Sequence, residues 1–159
     1  PLLTMENLTF MMGEFEALIP TDRQYAKNHM WVQSVDGSHG LFRFGFAAYA
    51  VRLLQDVYFL DWDCDSPAEL IVGQEVGAIE SKKAESSLFS PATGTLVRFN
   101  ETLMEDPSAI NVDKHGEGWL FEMQLGDAAL AEFLDAAGYI ELLDSVWAKT
   151  QRTIKGQLG

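Results

Sequence analysis

The chain has 159 residues, 47% of them hydrophobic, enough to bury the core of one domain and too many for a disordered segment. Its 24 Asp and Glu against 11 Lys and Arg give a formal charge of −13, so a nucleic-acid backbone or an anionic membrane finds no cationic patch to hold. Cys64 is the single cysteine, which excludes an internal disulfide, and no run is apolar and long enough to span a bilayer or to read as a secretory leader. A cytoplasmic monomer that meets basic-faced proteins is expected.

Residues 1–24 mix Phe10, Met11, Met12 and Phe15 with acids at no clean period, and are expected to form an arm or a short helix packed on the domain. Residues 30–35 and 41–46 flank Asp36-Gly37-Ser38, and Phe42, Phe44 and Phe46 alternate with Leu41, Arg43 and Gly45, which predicts a hairpin. Residues 47–55 lack Gly, Pro and period-two alternation and predict a short helix. Val57-Tyr58-Phe59-Leu60 is β-branched and aromatic and reads as a buried strand. After a loop over 61–67, strands are expected at 76–80, 88–90 and 95–99, with turns at Gly73 and Thr93-Gly94. Asn100 is placed to cap a short helix over 101–104 that Asp106-Pro107 ends.

Trp119, Phe121, Met123 and Leu125 then alternate with Leu120, Glu122 and Gln124, as in a strand with one face in the core. Beyond Gly126 the period becomes 3.6: Asp127 suits an N-cap, Leu130, Phe133, Leu134 and Ala137 share a face, and Gly138 suits the stop. Ile140, Leu143, Val146 and Trp147 mark a second helix. The predicted fold is mainly β, a small sandwich or flattened barrel over 25–126, preceded by the 1–24 segment and followed by C-terminal helices over 127–159 packed on the same domain.

One segment carries the chemistry. Glu80-Ser81-Lys82-Lys83-Ala84 sits between two short strands, so its lysines are displayed on a tight bend. These residues, with Ser90-Pro91-Ala92-Thr93-Gly94, His29-x-Trp31-Val32, Asn100-Glu101-x-Leu103 and Gly116-Glu117-Gly118-Trp119-Leu120-Phe121, resemble the glycine-cleavage H-protein family over roughly residues 25–139. In that family lipoic acid is amide-linked to the lysine of a Glu-Ser-x-Lys-Ala motif. The resemblance therefore implies the biotinyl/lipoyl barrel-sandwich hybrid and a non-catalytic carrier with its cofactor on Lys83. Glu80, Ser81 and Ala84 would shape the tip for a lipoate ligase or lipoyl transferase. Successive strand side chains point to opposite faces, so Lys82 and Lys83 are expected to project differently and to be told apart by geometry.

The resemblance also implies a cleft for the returning arm, lined by Met30, Trp31 and Ser87. Family members commonly carry Glu and Asp at the positions of Met30 and Ser87, where a carboxylate would shelter an amine. Without those charges the cleft reads as apolar and better suited to a dithiolane or a sulfur adduct, given the soft thioether of Met30. The expected pathway is therefore that of the H-protein-like lipoate-binding proteins, with a sulfur-oxidising heterodisulfide-reductase-like complex as partner. The alternative is a genuine H protein that carries the aminomethyl group among glycine decarboxylase, aminomethyltransferase and dihydrolipoyl dehydrogenase. A further alternative is an unlipoylated structural or interaction homologue. Biotin carriage is disfavoured, because those tips usually read Met-Lys-Met.

Other constellations are weaker. Asp61, Asp63 and Asp65 imitate the start of an EF-hand loop, but its sixth and twelfth positions are Ser66 and Val72, so the sharp turn and bidentate Glu are missing. His29, His39 and His115 lack metal-site spacing. Cys64 lies between Asp63 and Asp65, which disfavour its thiolate and a nucleophilic role.

Overall fold

The computed structural model describes residues 6–158, and their side chains through residue 151. In chain order the elements are β1 (Asn7–Met12), β2 (Phe15–Pro20), β3 (Gln24–Tyr25), β4 (Met30–Ser34), β5 (Leu41–Phe46), α1 (Ala48–Leu54), β6 (Val57–Trp62), β7 (Ala68–Leu70), β8 (Glu75–Ser81), β9 (Glu85–Phe89), β10 (Gly94–Phe99), α2 (Thr102–Glu105), α3 (Ala109–Val112), β11 (Phe121–Gln124), α4 (Asp127–Leu130) and α5 (Ala136–Leu158). They form a six-stranded sheet of order β3-β4-β5-β11-β10-β7, a three-stranded sheet of order β6-β8-β9, and the two-stranded β1-β2.

The two larger sheets enclose the main core. Met30, Val32, Phe44, Phe46, Leu96, Phe121 and Met123 from one meet Val57, Leu60, Val76, Ile79 and Leu88 from the other. Trp62 of β6 stacks on Phe99 of β10 with ring centroids 4.7 Å apart. A second core lies where Trp31 meets Phe10, Ala17 and Ile19 of the first hairpin, Tyr49 of α1 and Tyr139 and Leu143 of α5. Trp31 sits opposite Gly45 in the β4-β5 ladder, and a Cβ at Gly45 would collide with the indole.

The hairpin around Asp36-Gly37-Ser38, the helix over 47–55 and the strands near 76–80, 88–90 and 95–99 stand where the sequence predicts them. Four expectations change. Residues 7–20 are neither arm nor helix but a β-hairpin that turns at Gly13, which adopts φ +65°; residues 1–5 lie outside the described residues. Its buried positions, Phe10, Met12, Ala17 and Ile19, come from two strands of different phase, so no single period shows in the sequence.

In β6 only Val57 and Leu60 are buried, while Tyr58 and Phe59 face solvent, because the strand is covered on one side alone. In β11 the polar position Glu122 is fully buried, its carboxylate taken by Arg43 at 2.9 Å and by Arg98. Burial alone would raise its pKa, but those two guanidinium groups outweigh that and hold it below the usual carboxylate value.

The helix predicted over 127–137 is only one turn, α4. Leu134 instead exchanges two backbone hydrogen bonds of 2.8 Å with Tyr25, a bridge to β3 that a helix forbids. The long helix then starts at Ala136 and runs through Gly138, whose N–H donates to the Asp135 carboxylate at 2.7 Å. Gly138 is part of a helix start rather than a helix stop.

Candidate functional site

β8 and β9 pair from Glu75↔Phe89 to Glu80↔Glu85, and the chain reverses over Ser81-Lys82-Lys83-Ala84. Ser81 closes the reversal with its side chain. Its Oγ donates to the Ala84 carbonyl at 3.1 Å and accepts from the Ala84 N–H at 3.2 Å, while the Ser81 N–H donates to the same carbonyl at 2.8 Å. Glu80 is exposed, opposite Phe59 on one side and Glu85 on the other. Both Lys82 and Lys83 are exposed, and neither ammonium makes an ion pair among the described residues.

The two lysines lie in the bend and not within a strand, so alternation of strand faces does not separate them. What separates them is the backbone. The Lys82 N–H donates to the Asp56 carbonyl at 2.8 Å, and the Lys83 N–H reaches the Leu54 carbonyl at 3.4 Å. The tip therefore leans on the segment that leaves α1. Sequence reasoning misses Leu54 and Asp56 because they act through main-chain oxygens, which leave no side-chain signal.

The predicted arm cleft is not assembled. Met30 is 2% exposed and packs in the main core, whereas Trp31 is 1% exposed and points into the second core. Arg23 lies over the Trp31 ring, 4.8 Å from its centroid, and the indole N–H donates to the Lys114 carbonyl at 2.9 Å. Ser87 is exposed on the three-stranded sheet opposite Ala78. Adjacent residues of one strand cannot line the same groove, and here both sides of β4 are covered. The apolar cleft inferred from Met30 and Ser87 falls with this geometry. A concavity of about 720 Å³ does exist elsewhere, walled by Val72, Phe89, Pro91, Ala129 and Phe133, and contains none of the three.

The remaining candidates are also placed. His29 adopts φ +69°, shares a 2.9 Å hydrogen bond with the Tyr139 hydroxyl, stacks on Tyr49, and has its pKa lowered by burial. No group of three or more His, Cys, Asp or Glu is arranged to hold a metal among the described residues. Burial and the flanking Asp63 and Asp65 push the Cys64 thiol up. No described helix is long and apolar enough to cross a membrane.

A lysine pair on a braced hairpin tip of a two-sheet fold invites comparison with known proteins. The family profile described as Glycine cleavage H-protein matches residues 23–145. The chain belongs to the glycine cleavage H-protein family. Members of that family carry lipoic acid covalently on a lysine. The chain is 40% identical over 124 residues to the glycine cleavage system H protein of Beutenbergia cavernae, covering 78% of this chain and 95% of that one. It is 41% identical over 125 residues to that of Mycolicibacterium gilvum, covering 76% and 93%. Among solved structures, a crystal structure of a glycine cleavage system H protein from Mycobacterium marinum superposes with a TM-score of 0.66 at 32% identity, covering 80% of this chain and 98% of that one. The β1-β2 hairpin lies before the matched span. These relatives give no support to the sulfur-oxidation pathway.

Proposed function

We propose that this H-protein family member is the aminomethyl carrier of a glycine cleavage system, with lipoic acid amide-linked to Nζ of Lys83. The observation that carries the reading is that the lysine matching the family motif is a solvent-exposed amine, without an ion pair among the described residues, on a hairpin tip whose backbone is held from two sides. Lys83 fits the attachment: acylation needs a reachable amine, and the tip offers one without breaking any ion pair among the described residues. When bound, lipoic acid supplies a redox-active disulfide, chemistry that a chain with one cysteine does not provide.

The residues of the chain present and orient. Ser81 and Ala84 fix the width of the turn through their mutual hydrogen bonds. Glu80 sets a carboxylate one residue before the turn, where a cationic group on a ligase or transferase would find it. Tethering raises the effective concentration of the carried group at each partner, so weak docking to glycine decarboxylase, aminomethyltransferase and dihydrolipoyl dehydrogenase suffices. The test is loading. Lipoylated protein incubated with glycine decarboxylase and glycine labelled at its methylene carbon should retain the label, and the Lys83→Arg protein should retain none. A lipoylated wild-type protein that takes up no label contradicts the pathway.

A further inference from the structure

We infer that Asn111 is a positioning residue that holds the lysine turn in one pose through the 54–57 corner. The inference rests on the attachment of lipoic acid to Lys83.

Gln55 adopts φ +59° and ψ −142°, a conformation that a residue with a side chain keeps only when its surroundings impose it. Asn111 imposes it. Its Nδ2 donates to the Gln55 carbonyl at 2.6 Å, and its Oδ1 accepts from the Val57 N–H at 2.9 Å, so one side-chain amide spans the corner. The two carbonyls flanking Gln55, of Leu54 and Asp56, are those that accept from Lys83 and Lys82. Asn111, corner and lysine turn thus form one hydrogen-bonded series. Asn111 is itself fixed, because its neighbour Ile110 is fully buried in the main core.

The consequence is kinetic. A hairpin tip held only by its own ladder samples several arrangements, and a ligase that accepts one of them sees its apparent affinity fall by the fraction that is competent. Once the lysine is seated, chemistry proceeds as before. Loss of the clamp therefore raises the KM of the carrier for its ligase and leaves kcat alone.

The test uses the full chain with a bacterial lipoate–protein ligase, lipoate and ATP. In Asn111→Ala, amide exchange at Lys82 and Lys83 should accelerate about fivefold, the size expected from losing one ordinary hydrogen bond, while β11 amides keep their wild-type rates. The KM for the carrier should rise by a similar factor with kcat within about twofold. Asn111→Asp keeps the acceptor for Val57 but sets a carboxylate oxygen against the Gln55 carbonyl in place of the donor, and should accelerate exchange at Lys82 and Lys83 at least as much as the alanine; it also serves if the alanine variant does not fold. Wild-type exchange at both lysines, acceleration spread evenly over the domain, or a fall in kcat at constant KM would overturn the clamp. Lipoylation that survives Lys83→Arg would instead remove the attachment site, and the exchange rates of the two amides would still decide whether Asn111 holds the turn.

Discussion

The Ser81–Ala84 turn and the start of β4 solve opposite problems. In the turn the backbone is tied down, through Ser81 and through Leu54 and Asp56, while the Lys82 and Lys83 side chains are left in water. In β4 the side chains are the tied part, with Met30 in one core and Trp31 in the other. The contrast shows how a carrier divides its labour: reach comes from exposed side chains that make no ion pair among the described residues, and rigidity from residues packed in the interior.

Two substitutions sharpen that division. Trp31→Ala removes a fully buried ring, its stacking with Arg23 and the donor to Lys114, and should cost about 3–5 kcal/mol in urea unfolding at neutral pH. In the same assay Lys83→Arg should stay within about 0.5 kcal/mol, as for a surface exchange. A Trp31→Ala protein as stable as the wild type would break the contrast.

The next effect is a pH dependence near the same tryptophan. His115 follows Lys114, and its Nε2 is buried without a hydrogen-bond partner among the described residues. Burial first, then the charges of Arg23 and Lys114, lower its pKa to about 4, against a weaker opposite pull from Asp22 and Asp113. A depressed histidine pKa means that the unfolded chain takes up the proton more readily. Stability should therefore fall as the pH drops from about 6.5 to about 4, by up to about 3 kcal/mol, and this loss should be complete below that range. Unfolding of wild type and His115→Asn across the range isolates it: the variant should follow a flatter curve between those limits, and parallel curves would contradict the assignment.

How much of this was legible depended on what each feature needs from its surroundings. The lysine bend is local, and its presence between two short strands can be read from residue order, but its extent cannot: β9 begins at Glu85, so both lysines lie in the turn and strand alternation does not tell them apart. The positions of β5 and β11 are legible for the same reason, but their one-sided burial is not: Phe44 to Phe46 and Phe121 to Met123 are buried without alternation. The cleft is not local, because whether Met30 meets solvent depends on the residues from distant parts of the chain that gather with it in the main core. Glu122 misleads similarly: it occupies the polar phase of β11 but is covered by Arg43 and Arg98, residues distant in the chain. Gln55 carries no hint of its left-handed backbone, which Asn111 supports from 56 residues away.

The most direct test is the intact mass of the protein made with lipoate and an active lipoate–protein ligase, compared across wild type, Lys82→Arg and Lys83→Arg. One lipoyl increment on wild type and on Lys82→Arg, and none on Lys83→Arg, is the predicted result. An increment that persists on Lys83→Arg, or its absence from wild type, would contradict the claim that this braced turn exists to present Lys83.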